Sequence, residues 1–144
     1  NYLPDFGSLH SFFKAIHSRL KKNGMLIFDC WNGIAAIIDP PKTKVIRGKI
    51  GDNFVACVIS SENDFFAQKT TLTYHLEISD TQGVVINSGK FSFIQMLWTP
   101  KEINYYLESA GFNVLKCCRH FKPEIPAIES DWKIMFLCKK AEKQ

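Results

Sequence analysis

The sequence predicts an α/β fold that is interrupted by an antiparallel β insertion. Three observations lead to this prediction. An amphipathic helix near the amino end is followed by a short, continuously apolar strand, the middle of the chain alternates apolar and polar residues, and a clearly capped helix begins at residue 99. Helix and strand signals at both ends, with strand signals between them, are typical of an α/β domain that carries an inserted sheet.

The amino-terminal segment predicts a helix followed by a buried strand. Ser8 is the predicted N-cap, and the helix ends before Gly24. Its apolar residues recur at helical spacing and form one stripe, which consists of Leu9, Phe13, Ile16 and Leu20. The apolar run "MLIF" then predicts a strand buried on both faces, as in a parallel sheet. Open α/β sheets bind ligands beyond the carboxyl ends of such strands, so we expect a site near Asp29 to Asn32.

The middle of the chain, residues 39–98, has the pattern of an antiparallel meander. Asp39, Pro40 and Pro41 form a turn signal, and strand signals follow it. In "TLTYHLEISD" the residues Leu72, Tyr74, Leu76 and Ile78 would lie on one face, opposite Thr73, His75, Glu77 and Ser79. With three neighbouring strand patterns this segment predicts about four strands.

The stretch "WTPKEINYYLESAGF" predicts a helix with defined ends. Thr99 is the N-cap, Pro100 the first helical residue, Glu102 completes a capping box, and Gly111 follows the last turn. Two strands, separated by a loop that contains Pro123 and Pro126, are predicted to complete the chain.

Composition limits the classes of function. The chain has 144 residues, 46% of them hydrophobic and 22% charged, with a net charge of +4 and five cysteines that form no C-x-x-C pair. This favours one cytoplasmic globular domain with reduced thiols and argues against a disulfide framework, a zinc site, a membrane partner and a dedicated nucleic-acid surface. The first residue is Asn1, so we expect a piece of a longer chain.

Four stretches resemble the class I S-adenosylmethionine-dependent methyltransferases in the half of that fold after its fourth strand. "NYL" is similar to the end of strand four, and "LKKNGMLIFDCWNG" to the strand-five motif, with Asn23 and Gly24 at its glycine pair. "WNGIAAIIDPPKTKV" is similar to the entry into the family's antiparallel insertion. The most specific stretch, "WTPKEINYYLESAGFNVL", resembles the T-P-x-E…A-G-F signature.

The resemblance implies a partial Rossmann-like sheet in which strands five, seven and six lie side by side and strand seven is antiparallel. Residues 1–38 and 99–144 would form the carboxyl-terminal half of the α/β domain, and residues 39–98 the inserted β subdomain. The sequence contains no G-x-G, so the turn that would approach the cofactor S-adenosylmethionine is missing and we expect this chain alone to bind it poorly.

Site residues follow from the same resemblance. Asn1 and Tyr2 would border the methionine side of the cofactor, whereas Asp29, Trp31 and Asn32 would face a small-molecule acceptor. The alternative is that Asp29 and Asn32 bond the turn's amides and that Trp31 packs under the insertion. Relatives often carry a histidine in the strand before the T-P-x-E helix.

Here the corresponding positions are Phe93 and Met96, so the resemblance supplies no catalytic base. His75 is expected to be an ordinary surface residue, while the role of His120 is left open. A second hypothesis is a catalytically inactive interaction module. In either case a homodimer through the β insertion, or through the open edge of the fifth strand, is a further expectation.

Overall fold

The computed structural model describes residues 2–141, which fall into two compact units. One unit comprises Asn1–Asp39 with Met96–Gln144, and the other Pro40–Gln95. The helices of the first unit are α1 (Phe6–Arg19), α2 (Gly33–Ile38) and α3 (Pro100–Ser109). Its strands are β1 (Met25–Trp31), β6 (Phe112–Arg119), β7 (Lys122–Pro126) and β8 (Lys133–Lys140). The second contains β2 (Lys44–Ile50), β3 (Asn53–Asp64), β4 (Lys69–Ser79) and β5 (Val85–Met96), except for the last residue of β5, which is in the first unit.

Helix α1 begins earlier than the sequence predicted. Asp5, not Ser8, is the N-cap, because its carboxylate accepts hydrogen bonds from the Ser8 amide at 2.7 Å and from the Ser8 hydroxyl at 3.1 Å. A carboxylate is the stronger acceptor of the two candidates, and it interacts favourably with the helix dipole. The helix also ends earlier, at its C-cap Leu20, four residues before Gly24. The predicted apolar stripe does face the core.

Strand β1 is buried on one face only, so the prediction of burial on both faces was wrong. Leu26, Phe28 and Cys30 point toward the core that includes side chains of α1 and α3. Met25 and Ile27, on the opposite face, are 50% and 57% exposed. Both long helices contribute side chains to the same core, which leaves the second face of β1 without a covering helix among residues 2–141.

The sheet of this unit has the strand order β1-β8-β6-β7. β8 is antiparallel to both β1 and β6, so β1 and β6 run in the same direction and end at the same side of the sheet. β1 is the terminal strand of this sheet. The segment with Pro123 and Pro126, which was expected to be a loop, forms the short strand β7 on the outer side of β6, where proline is tolerated because an edge strand leaves some amides unpaired.

Helix α3 has the ends that the sequence predicted. Thr99 caps it, and the Glu102 carboxylate accepts hydrogen bonds from the Thr99 amide and hydroxyl at 2.8 Å each. Pro100 is the first helical residue, and Gly111 follows the helix with a φ of +94°. Ile103 and Leu107 are buried against the core.

The second unit is a four-stranded sheet of order β2-β3-β4-β5, as the alternating pattern predicted. β2 with β3, and β3 with β4, are antiparallel. Gly51 and Gly83 lie at turns with positive φ values of 59° and 82°. Tyr74 stacks on Phe91 and Phe93 with ring centroids 4.9 and 5.4 Å apart, so one face of this sheet carries an aromatic row.

A bilayer-spanning helix is not found in the part of the chain that the structure describes.

In the first unit, Gly33 should be the glycine that tolerates a side chain least. A Cβ there would lie 2.1 Å from the Leu97 carbonyl oxygen, and the Gly33 amide donates to the Trp98 carbonyl at 3.0 Å. Because backbone cannot yield as a side chain can, Gly33→Ala is expected to lower the free energy of unfolding by about 3 kcal/mol or more. Chemical denaturation followed by circular dichroism measures this.

Gly48→Ala is the control, since no atom lies within 4 Å of a Cβ at that position. It should change the stability by less than about 0.5 kcal/mol. Equal effects of the two substitutions would show that the close approach at Gly33 is unimportant.

Candidate functional site

The carboxyl ends of β1 and β6 bring several polar and aromatic side chains together. β1 ends with Asp29, Cys30 and Trp31, and β6 ends with Arg119, which His120 follows. Because β1 and β6 are parallel, with β8 between them, both sets lie at the same end of the sheet. This is the end at which the sequence predicted a site.

Asp29 approaches His120 directly. The carboxylate Oδ2 of Asp29 lies 3.4 Å from the imidazole Nε2 of His120, and the two side chains are 52% and 27% exposed. An imidazole beside a carboxylate can accept or donate a proton when a ligand reaches it, and here both groups are open to solvent. The pair therefore has the chemistry of an acid–base site.

Trp31 lies next to a second indole. Its ring makes an edge contact with the ring of Trp132, with centroids 5.5 Å apart and an angle of 82°. Both side chains are half-buried. Two aromatic rings near a carboxylate suit a cationic or planar ligand group.

Asn32 is fully buried, and its side-chain amide makes hydrogen bonds to the backbone of the protein. Its Oδ1 accepts the Ile34 amide at 3.1 Å as the N-cap of α2, and its Nδ2 donates to the carbonyls of Ile128 and Glu129 at 3.3 Å each. These bonds engage both the nitrogen and the oxygen of the side-chain amide. The side chain thereby ties the end of β1 to the segment before β8.

A cavity of about 280 Å³ contains two of the predicted site residues, Tyr2 and Asp29. Its walls are mostly apolar and include Phe12, Phe28 and Trp98. Asn1, the other residue predicted to border the cofactor, lies outside the described residues. Trp31 and Asn32 do not line this cavity.

Cys30 also lines the cavity, but its thiol is not suited to nucleophilic chemistry. Burial raises the pKa of Cys30 to about 12. Burial likewise raises the pKa of Cys138 to about 12 and that of Cys117 to about 11. A thiol nucleophile needs a lowered pKa, so these cysteines belong to the core.

The role of His120 was left open from the sequence, although its position after the end of a strand could have indicated a site residue. Residues at the carboxyl end of the fifth strand were chosen because open sheets bind ligands there, and the same rule applies to a strand that runs parallel to it. The contact between His120 and Asp29 required the three-dimensional structure, since 91 positions separate the two residues in the sequence. Phe93, at the position where relatives often carry a histidine, stacks on Tyr74.

Searches of protein-family models and of curated proteins find no match to this sequence. Solved structures do match the fold. A S-adenosylmethionine-dependent methyltransferase from Clostridium acetobutylicum is 17% identical, with a TM-score of 0.75 over 99% of this chain and 55% of that one.

Two further matches are an amino pentose methyltransferase from Micromonospora echinaspora, solved with S-adenosylmethionine bound, and a sugar N-methyltransferase from Streptoalloteichus. They are 14% and 17% identical, with TM-scores of 0.73 and 0.72. This chain is covered to 98% in both, and it spans 54% and 52% of their lengths. The chain thus has the fold of about half of a S-adenosylmethionine-dependent methyltransferase.

The buried thiols should resist alkylation in the folded protein. We expect iodoacetamide at about pH 8 to leave Cys30 and Cys138 unmodified, because at that pH their thiolate forms are scarce and their sulfur atoms are shielded. Mass spectrometry of peptides measures this, and the guanidinium-unfolded chain, in which both should react, is the control. Rapid modification of native Cys30 would contradict the assignment.

The raised pKa values of Cys30 and Cys138 also predict how the stability of the folded protein changes with pH. The folded-state pKa values lie above the unfolded value of 9.0. The contribution to stability is therefore fully present below that pH and is lost as the pH rises from it toward about 12.

Proposed function

We propose that this chain is the carboxyl-terminal part of a S-adenosylmethionine-dependent methyltransferase that acts on a small-molecule acceptor. The observation that carries the proposal is the match to four methyltransferase structures, with TM-scores from 0.70 to 0.75, over at least 98% of this chain. The T-P-x-E…A-G-F helix, whose capping box is formed, supports the same assignment.

On this proposal β1, β8 and β6 are the fifth, seventh and sixth strands of a larger Rossmann-like sheet. Residues 1–38 and 99–144 are then the carboxyl-terminal half of the α/β domain, and residues 39–98 are the inserted subdomain. The exposed apolar face of β1, formed by Met25 and Ile27, would be covered in the full-length protein. The five unpaired cysteines agree with a cytoplasmic protein.

The residues of this chain suit only one end of the cofactor. The cavity that Tyr2 and Asp29 border offers aromatic walls, which attract the cationic methionine end. The Asp29 carboxylate itself lies against His120. At about 280 Å³ the cavity is too small to enclose the whole molecule. We assign Asn1 and Tyr2 to the border of that end, and the remaining contacts to the half that carries a G-x-G turn.

The bound cofactor would supply a methyl group on a sulfonium, and the protein's part is then mainly to position the acceptor. We assign the acceptor side to Asp29 and Trp31, through the carboxylate and the face of the indole. Asn32 contributes by holding the end of β1, since its hydrogen-bonding groups are occupied. An amine acceptor is favoured because a carboxylate attracts its charged form.

Binding of S-adenosylmethionine tests this function. Calorimetry on this chain and on the longer polypeptide that we propose contains it should detect micromolar affinity for the longer form only, because the glycine-rich turn is missing here. S-adenosylhomocysteine, which lacks the sulfonium charge, is the control ligand. If neither polypeptide binds, the methyltransferase proposal fails and the fold serves another purpose, such as an inactive interaction module.

We further propose that the full-length protein forms a homodimer through the aromatic row of the second unit. Phe91, in β5, is 55% exposed although it stacks on Tyr74, and Ile46 of β2 is also exposed on this face. A row of exposed aromatic and β-branched side chains is typical of an interface.

Phe91→Lys should therefore convert a dimer into a monomer in sedimentation velocity at micromolar concentration, because it places a charge in the apolar contact. Ile94→Lys is the matched control, since Ile94 is 52% exposed in the same strand and three residues away, on the opposite face. A wild-type monomer, or dissociation by both variants, would refute this interface.

A further inference from the structure

The contact between Asp29 and His120 joins two strands that are separated by β8. Asp29 pairs with Met135 of β8, and on the other side of that strand Met135 pairs with Cys118, two residues before His120. The contact therefore spans two strand spacings at the carboxyl ends of β1 and β6. Such a placement makes both groups available to one ligand at that end of the sheet.

The turn that carries His120 is held in place from two sides. Arg119 contacts the Asp131 carboxylate through its Nε, with distances of 2.9 and 3.1 Å to the two oxygens, and the Ile128 amide donates to Asp131 at 3.0 Å. The Ile128 hydrogen bond, followed by the contacts with Arg119, holds the pKa of Asp131 below its ordinary value. The charge of Arg119 is thus balanced by Asp131.

Phe121 continues the same turn in a strained conformation. Its φ is +53°, a value that bulky residues rarely adopt, and its side chain is 79% exposed. Its ring centroid lies 4.1 Å from that of His120. Strained backbone of this kind is found at functional sites more often than elsewhere, and here it sets an exposed aromatic ring against the imidazole.

The two nitrogens of His120 have different surroundings. Nε2 faces Asp29, which favours the tautomer with the proton on Nε2 and leaves the lone pair on Nδ1. Within residues 2–141, no hydrogen-bond partner of Nδ1 is present. This is the arrangement of a general base whose orientation is set by a carboxylate.

We propose that His120 is the general base of methyl transfer to a protonated amine, and that Asp29 is its positioning residue. This inference rests on the proposed function. The ammonium of the acceptor gives one proton to Nδ1, so that its nitrogen regains a lone pair and His120 becomes an imidazolium stabilised by Asp29. The nitrogen then forms a bond to the methyl carbon, and the electrons of the broken carbon–sulfur bond remain on sulfur, which becomes a neutral thioether.

The surroundings favour an amine over an anionic acceptor. Asp29 is exposed and contributes a negative charge, and the exposed ring of Phe121 beside His120 can face a cation. Arg119 is already paired with Asp131. The site therefore attracts a small primary amine, with the ammonium group as the recognised feature.

Turnover by the longer protein gives the first test, with radioactive methyl donor and a panel of small amines that includes D-glucosamine. His120→Gln should lower kcat by about 100-fold or more and leave KM within about threefold, because the proton acceptor is lost while binding contacts remain. Added imidazole should restore part of kcat. An unchanged kcat would overturn the proposal while leaving the methyltransferase assignment intact.

His75→Gln is the matched control. His75 also lies near a carboxylate, 3.8 Å from Glu77, and it is exposed, but it belongs to the other unit. The control variant should keep the wild-type kcat. Circular dichroism of both variants confirms that they fold.

A second test does not depend on methyl transfer. The ring resonances of His120 are assigned in NMR spectra by their loss in His120→Gln and are followed during titration with D-glucosamine at constant pH. They should shift in a saturable way, and they should not shift with N-acetyl-D-glucosamine, which lacks the charge, or in Asp29→Asn.

If no amine is methylated and the cofactor does not bind, the proposed function fails, and this titration alone decides whether the pair recognises an amine. No shift with D-glucosamine would overturn the proposal.

Discussion

The position of β8 between β1 and β6 is the constraint on which the first unit depends. Because β8 is antiparallel to both neighbours, two strands that are distant in the sequence become parallel and end together. The inward side chains of β1, β8 and β6 meet in one core, where Phe28 of β1 stacks on Phe136 of β8 with centroids 5.4 Å apart. Without this pairing neither the core under α1 and α3 nor the contact of Asp29 with His120 would exist.

Two backbone hydrogen bonds further fix the end of β1 within the first unit. The Asn32 amide donates to the Trp132 carbonyl, and the Gly33 amide to the Trp98 carbonyl, both at 3.0 Å. The end of β1 is thereby fixed to the segment before β8 and to the segment before α3. The role that we propose for Asp29 depends on these bonds, since they fix the strand end that carries its carboxylate.

The sequence predicted best those features that depend on near neighbours. The capping box of α3 requires only Thr99, Pro100 and Glu102, and it formed as expected. The start of α1 was misplaced because Asp5 and Ser8 are both competent caps and only their geometry distinguishes them. Burial of β1 was overestimated because an apolar run does not reveal how many faces are covered within the chain itself.

In the candidate site, too, features that depend on local sequence were predicted and features that depend on tertiary structure were not. Strand-end reasoning selected Asp29, while the partner His120 depended on a pairing across β8 that no local pattern encodes. The amide of Asn32 was a plausible ligand group from its position, yet its bonds to the turn and to Ile128 and Glu129 depend on tertiary structure.

The open apolar face of the terminal strand β1 also affects how the polypeptide behaves before or without a covering segment. Met25 and Ile27 offer water an apolar surface beside a strand edge that other chains can extend, which is the feature that molecular chaperones and fibril growth both exploit. Newly made copies in a crowded cell would compete for that edge. A lysine in place of Ile27 would be the simplest protection, since a charge at the edge of a sheet discourages the addition of another strand.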